Sequence, residues 1–274
     1  MSALAGVSVA LVGAGKMGSA LLAGLARGAR PARALVVEPK PSPRLIALCE
    51  EHGFALVSTV EHGSESVDAL VLAIKPQALD GAAPALAPLV GPKTLLVSIL
   101  AGKRVADLSA RLPASAIVRA MPNTPGAIGR GVTGAFASAG VDPDQRRLAQ
   151  DLLETLGVVA WIEREELMDA LTAVSGSGPA YVFYLAECLA AAGERAGLPG
   201  ELAVRLARET IAGAGELMRR EPDVPAQTLR ENVTSPGGVT AAALGVLMAE
   251  EEGLERLMAR AIAAGTRRAG ELAG

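Results

Sequence analysis

The chain has 274 residues, enough for one large domain or two ordinary ones, and 50% of them are hydrophobic. Aromatic residues make up only 2%, the formal net charge is -3 and no basic run occurs, so we expect no nucleic-acid partner. Cys49 and Cys188 provide neither a disulfide framework nor a metal cluster, and both lie in apolar helical patterns that predict burial. Without a signal-peptide pattern or an apolar run of about 18 residues, we expect a cytoplasmic protein that spans no membrane.

The first predicted strand, Val7 to Val12, runs directly into a glycine-rich turn. Gly13-Ala14-Gly15-Lys16-Met17-Gly18 follows it, and a helical pattern continues through Leu25. This is the G-x-G-x-x-G pattern between a strand and a helix. Its first glycine permits the tight turn, its second lets a pyrophosphate approach the backbone, and its third lets the helix pack on the strand. The segment therefore predicts a dinucleotide site.

The second predicted strand, Ala34 to Glu38, ends on an acid at the spacing that suits binding of the adenosine ribose hydroxyls of NAD. A carboxylate there disfavours a 2′-phosphate, but Lys40 and Arg44 follow closely and could pair with one. All three side chains could equally be solvated surface groups. These residues leave NADH and NADPH open.

Further apolar strands alternate with helices as far as Ile162, which predicts a Rossmann-type, doubly wound, mainly parallel sheet in a domain of residues 1–163. The predicted strands are Val67 to Ile74, Thr94 to Ile99, Ala116 to Ala120, Val132 to Phe136 and Val158 to Ile162. Two of them end in polar turns, Lys75-Pro76-Gln77 and Met121-Pro122-Asn123-Thr124-Pro125. Because strand ends face the ligand crevice in such sheets, both turns are candidates for cofactor contact, with an ordinary surface lysine as the alternative for Lys75.

From Glu165 onward no convincing strand appears, so residues 164–274 are predicted to be all helical. Helical patterns cover Glu165 to Val174, Tyr181 to Ala196, Glu201 to Arg219 and Leu254 to Gly270. The second of these is apolar nearly all round, which predicts burial on every side. Either a second subunit covers it or a compact helical domain buries it. We expect at least a homodimer.

A second glycine-containing turn, Thr234-Ser235-Pro236-Gly237-Gly238-Val239-Thr240, leads into an apolar helical pattern from Ala241 to Met248. Pro236 favours an extended arrival, and two glycines without Cβ allow a ligand to approach the backbone. The helix start offers orphan N–H groups and the positive end of a dipole, which suit a carboxylate. An ordinary loop and helix cap is the alternative.

No acid–base motif accompanies these sites. His52 and His62 are the only histidines and lie outside any motif, and no metalloprotease, nucleophile-elbow or Cys/His pattern occurs. This absence suits hydride transfer to a substrate that needs little proton chemistry from the protein, such as a cyclic imine that protonates in water to an iminium.

Five motifs together resemble the pyrroline-5-carboxylate reductase family. They are the glycine-rich turn at Gly13, Lys75-Pro76-Gln77, Met121-Pro122-Asn123-Thr124-Pro125, Ser175-Gly176-Ser177-Gly178-Pro179-Ala180-Tyr181 and Asn232-Val233-Thr234-Ser235-Pro236-Gly237-Gly238. The resemblance covers essentially the whole chain. It implies a Rossmann domain, a helical dimerisation domain, and NAD(P)H-dependent reduction of 1-pyrroline-5-carboxylate to proline, with rings of dimers in some members.

The resemblance also implies which residues form the site. The cofactor would contact Gly13, Ala14, Gly15, Lys16, Met17, Gly18, Ala73, Lys75, Pro76, Met121, Pro122, Asn123 and Thr124, and the spacing after Gly18 adds Glu38 to this set. The substrate would contact Asn232, Val233, Thr234, Ser235, Gly237, Gly238, Val239 and Ser175. Thr240 would hydrogen-bond the ring nitrogen as the catalytic residue, no metal is implied, and no role is assigned to the loop from Glu221 to Thr228.

Two other functions remain open. A β-hydroxyacid-type dehydrogenase also combines a Rossmann domain with helices, but it uses a lysine within a helix, and no lysine follows Ser175 here. A nucleotide-sensing regulatory protein would share the Rossmann half without needing a carboxylate seat.

Overall fold

A computed structural model describes residues 3–28, 30–61 and 63–273, and of residue 273 it describes only the backbone. It forms two compact units. The first unit runs to Gly176 and also includes the segment from Gly265, and the second is Ser177–Ala264. The predicted domain boundary after residue 163 lies within the first unit.

The first unit is built on one eight-stranded sheet. Its strands are β1 (Ser8–Val12), β2 (Arg33–Val37), β3 (Ala55–Val57), β4 (Ala69–Leu72), β5 (Leu95–Ser98), β6 (Ala116–Met121), β7 (Gly131–Ala137) and β8 (Gly157–Ile162). Their order across the sheet is β3-β2-β1-β4-β5-β6-β7-β8, and every pair is parallel except β6 with β7. The strand order reverses between β1 and β4, so their carboxyl ends flank the crevice in which such sheets bind ligands.

Helices cover both faces of this sheet. Those of the first unit are α1 (Lys16–Arg27), α2 (Pro43–His52), α3 (Leu79–Leu86), α4 (Val105–Ser109), α5 (Pro143–Glu154) and α6 (Met168–Leu171). Side chains alternate along β1, so Leu11 joins a core with α1, α2 and α5 while Ala10 joins a second core with α3 and α4. Both cores are mostly Leu, Val and Ala, which a chain with 2% aromatic residues requires.

The second unit contains only helices and turns among its described residues. Its helices are α7 (Gly178–Arg195), α8 (Gly200–Arg220), α9 (Ala226–Asn232), α10 (Val239–Leu247) and the start of α11 (Leu254–Ala273), which ends in the first unit. Pro179 lies in the first turn of α7, where its missing N–H costs nothing. Gly197, at a φ of 101°, provides the left-handed turn between α7 and α8.

The predicted fold class is confirmed, and two local features differ from the sequence expectation. The sequence pattern gave no sign of β3, because a strand of three residues is too short to show a period. The segment predicted as one helix from Glu165 to Val174 is instead a 3₁₀ turn (Glu165–Leu167), then α6, then a π-helical turn (Thr172–Gly176). Such π turns often occur at functional sites.

Candidate functional site

The glycine-rich turn closes tightly between β1 and the end of β4. Gly13 has a φ of 89°, and a Cβ on it would lie 2.8 Å from the carbonyl oxygen of Ala73 and 2.9 Å from Cγ2 of Ile74. A Cβ on Gly18 would collide with the carbonyl oxygen of Gly13. The first and third glycines of the motif are therefore required by the backbone itself.

The second glycine faces open space. A Cβ on Gly15 would meet no atom within 4 Å, so a ligand can reach the backbone here. Gly15 is the N-cap of α1, which has no side-chain cap and no acid in its first turn. The orphan N–H groups of that first turn are consequently free of a competing carboxylate and suit a pyrophosphate. The residues fit the phosphate portion of a dinucleotide.

Glu38 lies beside this turn, at the end of β2. Its Oε2 accepts a hydrogen bond from the backbone N–H of Ala14 at 2.9 Å, and its Oε1 accepts one from the N–H of Lys40 at 3.1 Å. Backbone bonding also joins the two strand ends, because the N–H of Gly13 donates to the carbonyl of Val37 at 2.9 Å. The acid predicted from spacing to bind ribose is thus hydrogen-bonded to the glycine-rich turn.

The end of β4 completes this side of the crevice. The N–H of Ala73 donates to the carbonyl of Val12 at 2.8 Å, and the Ala73 methyl group borders Gly18. Lys75 is exposed, and Pro76 begins a short 3₁₀ turn (Pro76–Ala78). These residues lie at the crevice edge where the sequence predicted cofactor contacts.

Asn123 connects two of the motifs that the sequence analysis singled out. Its side-chain Nδ2 donates to the carbonyl of Ser175 at 3.1 Å, and its Oδ1 accepts from the N–H of Val132 at 3.0 Å. Met121 borders the same segment, since a Cβ on Gly176 would lie 3.5 Å from Met121 Cγ. The structure therefore places the turn after β6 against the π turn, with Pro122 buried and Thr124 exposed.

An ion pair that the sequence analysis missed supports this region. Arg119, only 3% exposed on β6, donates from Nη1 to Glu165 Oε1 at 3.2 Å, and the same oxygen accepts from the N–H of Val105 at 2.8 Å. Arg119 Nε is buried without a partner among the described residues. A lone arginine inside an apolar strand was the available signal, because a buried charge requires a partner. Glu165 thereby joins β6, α4 and the segment leading to the π turn.

In the second unit, the turn from Thr234 to Thr240 ends where α10 begins. Gly237 has a φ of 67°, Gly238 is the N-cap of α10, and no side chain caps this helix. Val239, the first helical residue, is 90% exposed in the single chain, and its neighbours Gly238 and Thr240 are half-buried. A Cβ on Gly238 would collide with the exposed hydroxyl of Ser235, which can rotate away, and would lie 3.2 Å from the carbonyl oxygen of Ser235, so a larger residue would crowd the turn as well as obstruct a ligand.

The rest of the turn is held by local hydrogen bonds. Thr234 donates from its hydroxyl to the carbonyl of Arg230 at 2.6 Å and from its N–H to that of Glu231 at 2.9 Å. Asn232 ends α9, and Val233 and Ser235 are exposed. Thr240 is half-buried in the first turn of α10. A cavity of about 370 Å³ on this unit is lined by Arg230, Thr234, Leu244 and their neighbours rather than by Gly237 to Thr240.

Large apolar side chains are exposed along α7. They include Val182, Phe183, Tyr184, Leu185 and Leu189, each between 44% and 66% exposed in the single chain. The burial predicted for this helix is therefore absent in one chain and requires a covering surface. The prediction that both cysteines are buried is wrong for Cys188, which lies on the same helix, and right for Cys49.

Titratable groups away from the glycine-rich turn form no second cluster among the residues that the structure describes. His52 Nδ1 lies 3.0 Å from Nη2 of Arg30, and His62 lies outside the described residues. Within the described ranges, no group of three or more His, Cys, Asp or Glu side chains could hold a metal ion. No helix in the described part of the chain has both the length and the apolarity that a membrane span needs.

Comparison with known proteins matches both halves of the chain. Residues 165–272 match the family model for pyrroline-5-carboxylate reductase dimerisation, and residues 8–102 match that for NADP oxidoreductase, coenzyme F420-dependent. The pyrroline-5-carboxylate reductase of Pseudomonas aeruginosa is 40% identical over 270 residues, covering 97% of this chain and 96% of the relative. That of Synechocystis is 38% identical over 279 residues, covering 97% and 98%.

Solved structures agree. The pyrroline-5-carboxylate reductase of Coxiella burnetii superposes with a TM-score of 0.90 at 33% identity, covering 98% of this chain and 99% of that one. The pyrroline carboxylate reductase of Plasmodium falciparum, solved with NADP bound, gives 0.79 at 29% identity, covering 98% of each chain. On this identity and coverage, together with the glycine-rich turn and the helical second unit, the chain belongs to the pyrroline-5-carboxylate reductase family.

Proposed function

We propose that the protein reduces 1-pyrroline-5-carboxylate to L-proline with NADH or NADPH, the last step of proline biosynthesis. Relatives named for this activity, similar along almost the full length of both chains, carry the proposal. The first unit supports it with a glycine-rich turn in which Gly13 and Gly18 have no room for a Cβ, while Gly15 leaves the backbone open to a ligand. The second unit supports it with the uncapped start of α10.

The dinucleotide would supply the hydride when bound, and the residues of the chain would hold it in position. We assign pyrophosphate binding to Gly13 through Gly18 and ribose binding to Glu38. Ala73, Lys75 and Pro76 would line the crevice, and Met121 through Thr124 would lie beside the nicotinamide. Since both ends of the Asn123 amide already bind the backbone, only one N–H and one lone pair remain on it for a ligand.

The substrate has two polar groups, a carboxylate and a ring nitrogen. We assign the carboxylate to the backbone N–H groups at Gly237 through Thr240, with further contacts from Asn232 through Ser235 and from Ser175. The Thr240 hydroxyl would bond the ring nitrogen, which changes from iminium to secondary amine as the C=N bond is reduced. Because that nitrogen protonates in water, the protein needs no strong general base. Orienting the substrate against the nicotinamide can lower the activation free energy by several kcal/mol, up to about 7–11.

We further propose a domain division at residues 163 and 164 and assembly through the helices of the second unit. The two family matches, ending at residue 102 and beginning at residue 165, support the division. The exposed apolar face of α7 supports at least a homodimer, which a ring of dimers would extend. Sedimentation at micromolar concentration should give a mass of at least twice 27.7 kDa, and a monomer would contradict this assembly.

A steady-state assay tests the activity. Purified protein given pyrroline-5-carboxylate should oxidise NADH, NADPH or both, measured by loss of nicotinamide absorbance. Folded protein that turns over neither nucleotide would contradict the proposal. Binding of nucleotide without turnover would favour a nucleotide-sensing protein, and turnover only with a β-hydroxyacid would favour the dehydrogenase alternative.

A further inference from the structure

The Glu38 carboxylate is fixed in position by the backbone on two sides. One oxygen accepts from the N–H of Ala14 in the glycine-rich turn at 2.9 Å, and the other accepts from the N–H of Lys40 at 3.1 Å. Hydrogen bonds to a charged acceptor are among the stronger ones in proteins. Moving this carboxylate away from the turn would break both bonds at once. The negative charge therefore stays beside the phosphate-binding turn.

The same geometry leaves one hydrogen-bond acceptor site on each oxygen of Glu38. An ionised carboxylate offers about four lone-pair sites, two on each oxygen, and donates nothing. The two backbone N–H groups occupy one site on each oxygen of Glu38. One site on each oxygen remains, which suits the two hydroxyl groups of an unmodified ribose as donors. A 2′-phosphate offers no donor in its ionised form and carries like charge.

The nearby cations attract a 2′-phosphate less strongly than the Glu38 carboxylate repels it. The side chains of Lys40 and Arg44 are both exposed, where charge interactions are screened within about 10 Å at ordinary ionic strength. The Ser42 hydroxyl accepts from the N–H of Leu45 at 3.2 Å as the cap of α2, so it could offer a 2′-phosphate one uncharged O–H donor but no countercharge. Glu38 is the half-buried, anchored group of the segment, and the cations are its solvated neighbours.

We infer that Glu38 makes this enzyme select NADH over NADPH, by bonding the 2′- and 3′-hydroxyl groups of the adenosine ribose and repelling a 2′-phosphate. The inference rests on the proposed function, which assigns a nicotinamide dinucleotide to this crevice without choosing between the two. It also gives Glu38 a second role, since the carboxylate that selects the ribose also orients the N–H of Ala14.

Binding of nucleotide fragments tests this selection without any turnover. ADP-ribose and 2′-phospho-ADP-ribose both lack the nicotinamide, and their affinities are measured by titration calorimetry on wild type, Glu38→Gln and Glu38→Ser. A like-charge contact at about 4 Å with solvent screening predicts that wild type binds ADP-ribose roughly five- to 30-fold more tightly. Both variants should reduce that ratio about fivefold or more, with Gln retaining one backbone bond and Ser retaining neither. Glu50→Gln, which removes an exposed charge near the other end of α2, should leave the ratio unchanged.

The outcomes separate this inference from the proposed function. Equal affinities in wild type, tighter binding of the 2′-phosphorylated fragment, or an unchanged ratio in both Glu38 variants would overturn the selection while leaving a dinucleotide site in place. If wild type bound neither fragment, the selection would fall together with the proposed function.

Discussion

Asn123 offers the sharpest test of how the first unit holds its site together. Its amide bridges two backbone positions, the carbonyl of Ser175 at 3.1 Å and the N–H of Val132 at 3.0 Å. Asn123→Ala removes both bonds. Asn123→Asp keeps an acceptor for Val132 but places a carboxylate oxygen against the Ser175 carbonyl. The two variants therefore separate loss of the bridge from reversal of one half of it.

The expected loss follows from the number of bonds. Each intramolecular hydrogen bond contributes about 0.5–1.5 kcal/mol net, so Asn123→Ala should lower the free energy of unfolding by about 1–3 kcal/mol. Asn123→Asp should cost at least as much, because it adds a repulsion. Since the bridge positions Met121 and the π turn, a displacement of about 1 Å should also lower kcat/KM roughly 100-fold.

Urea unfolding and steady-state kinetics on the same preparations measure both effects. Thr124→Ala is the matched control for stability, because Thr124 is the exposed neighbour and its truncation should stay within about 0.5 kcal/mol of wild type. If Asn123→Ala kept both the unfolding free energy and kcat/KM of wild type, the bridge would not position the site.

Two further variants and one alkylation measurement test separate parts of the site and the fold. Thr240→Ala should lower kcat/KM for pyrroline-5-carboxylate by about five- to 150-fold, the value of one hydrogen bond of roughly 1–3 kcal/mol, while the dissociation constant for nucleotide stays near wild type. Glu165→Gln, which leaves Arg119 buried without a countercharge, should destabilise the fold by about 3 kcal/mol in urea unfolding, whereas the exposed Glu166→Gln should not. Burial raises the pKa of the Cys49 thiol. Folding therefore favours the neutral thiol. Its contribution to the free energy of unfolding is present below the pKa of the unfolded state and is lost as the pH rises through the pKa of the folded state. Mass spectrometry should accordingly show little alkylation of Cys49 in folded protein at pH 8.

Much of the fold could be predicted because local pattern and global structure agree. The strand before Gly13, the turn and the helix after it follow from apolar spacing and from glycine positions that the backbone geometry requires. The spacing of Glu38 from that turn likewise anticipated an acid at the crevice. What spacing could not supply was that both its oxygens bind backbone N–H groups, since that depends on how β2 and the turn meet in three dimensions.

Long-range polar contacts were outside the reach of the sequence. The bridge from Asn123 to Ser175 and the ion pair from Arg119 to Glu165 join residues 52 and 46 positions apart. No periodic pattern encodes such pairs, because they form only after the sheet and the following helices pack. The exposure of Cys188 was missed for a related reason, because an apolar helical pattern does not say whether the covering surface belongs to the same chain.

The most direct measurement follows the hydride itself. Protein is incubated with pyrroline-5-carboxylate and NADH or NADPH carrying deuterium at both C4 positions of the nicotinamide, and the product is identified by mass spectrometry. We expect proline one mass unit heavier than that formed with unlabelled nucleotide, because one deuteride reaches the carbon of the C=N bond. Unlabelled proline, or no proline from folded protein that binds the nucleotide, would contradict it.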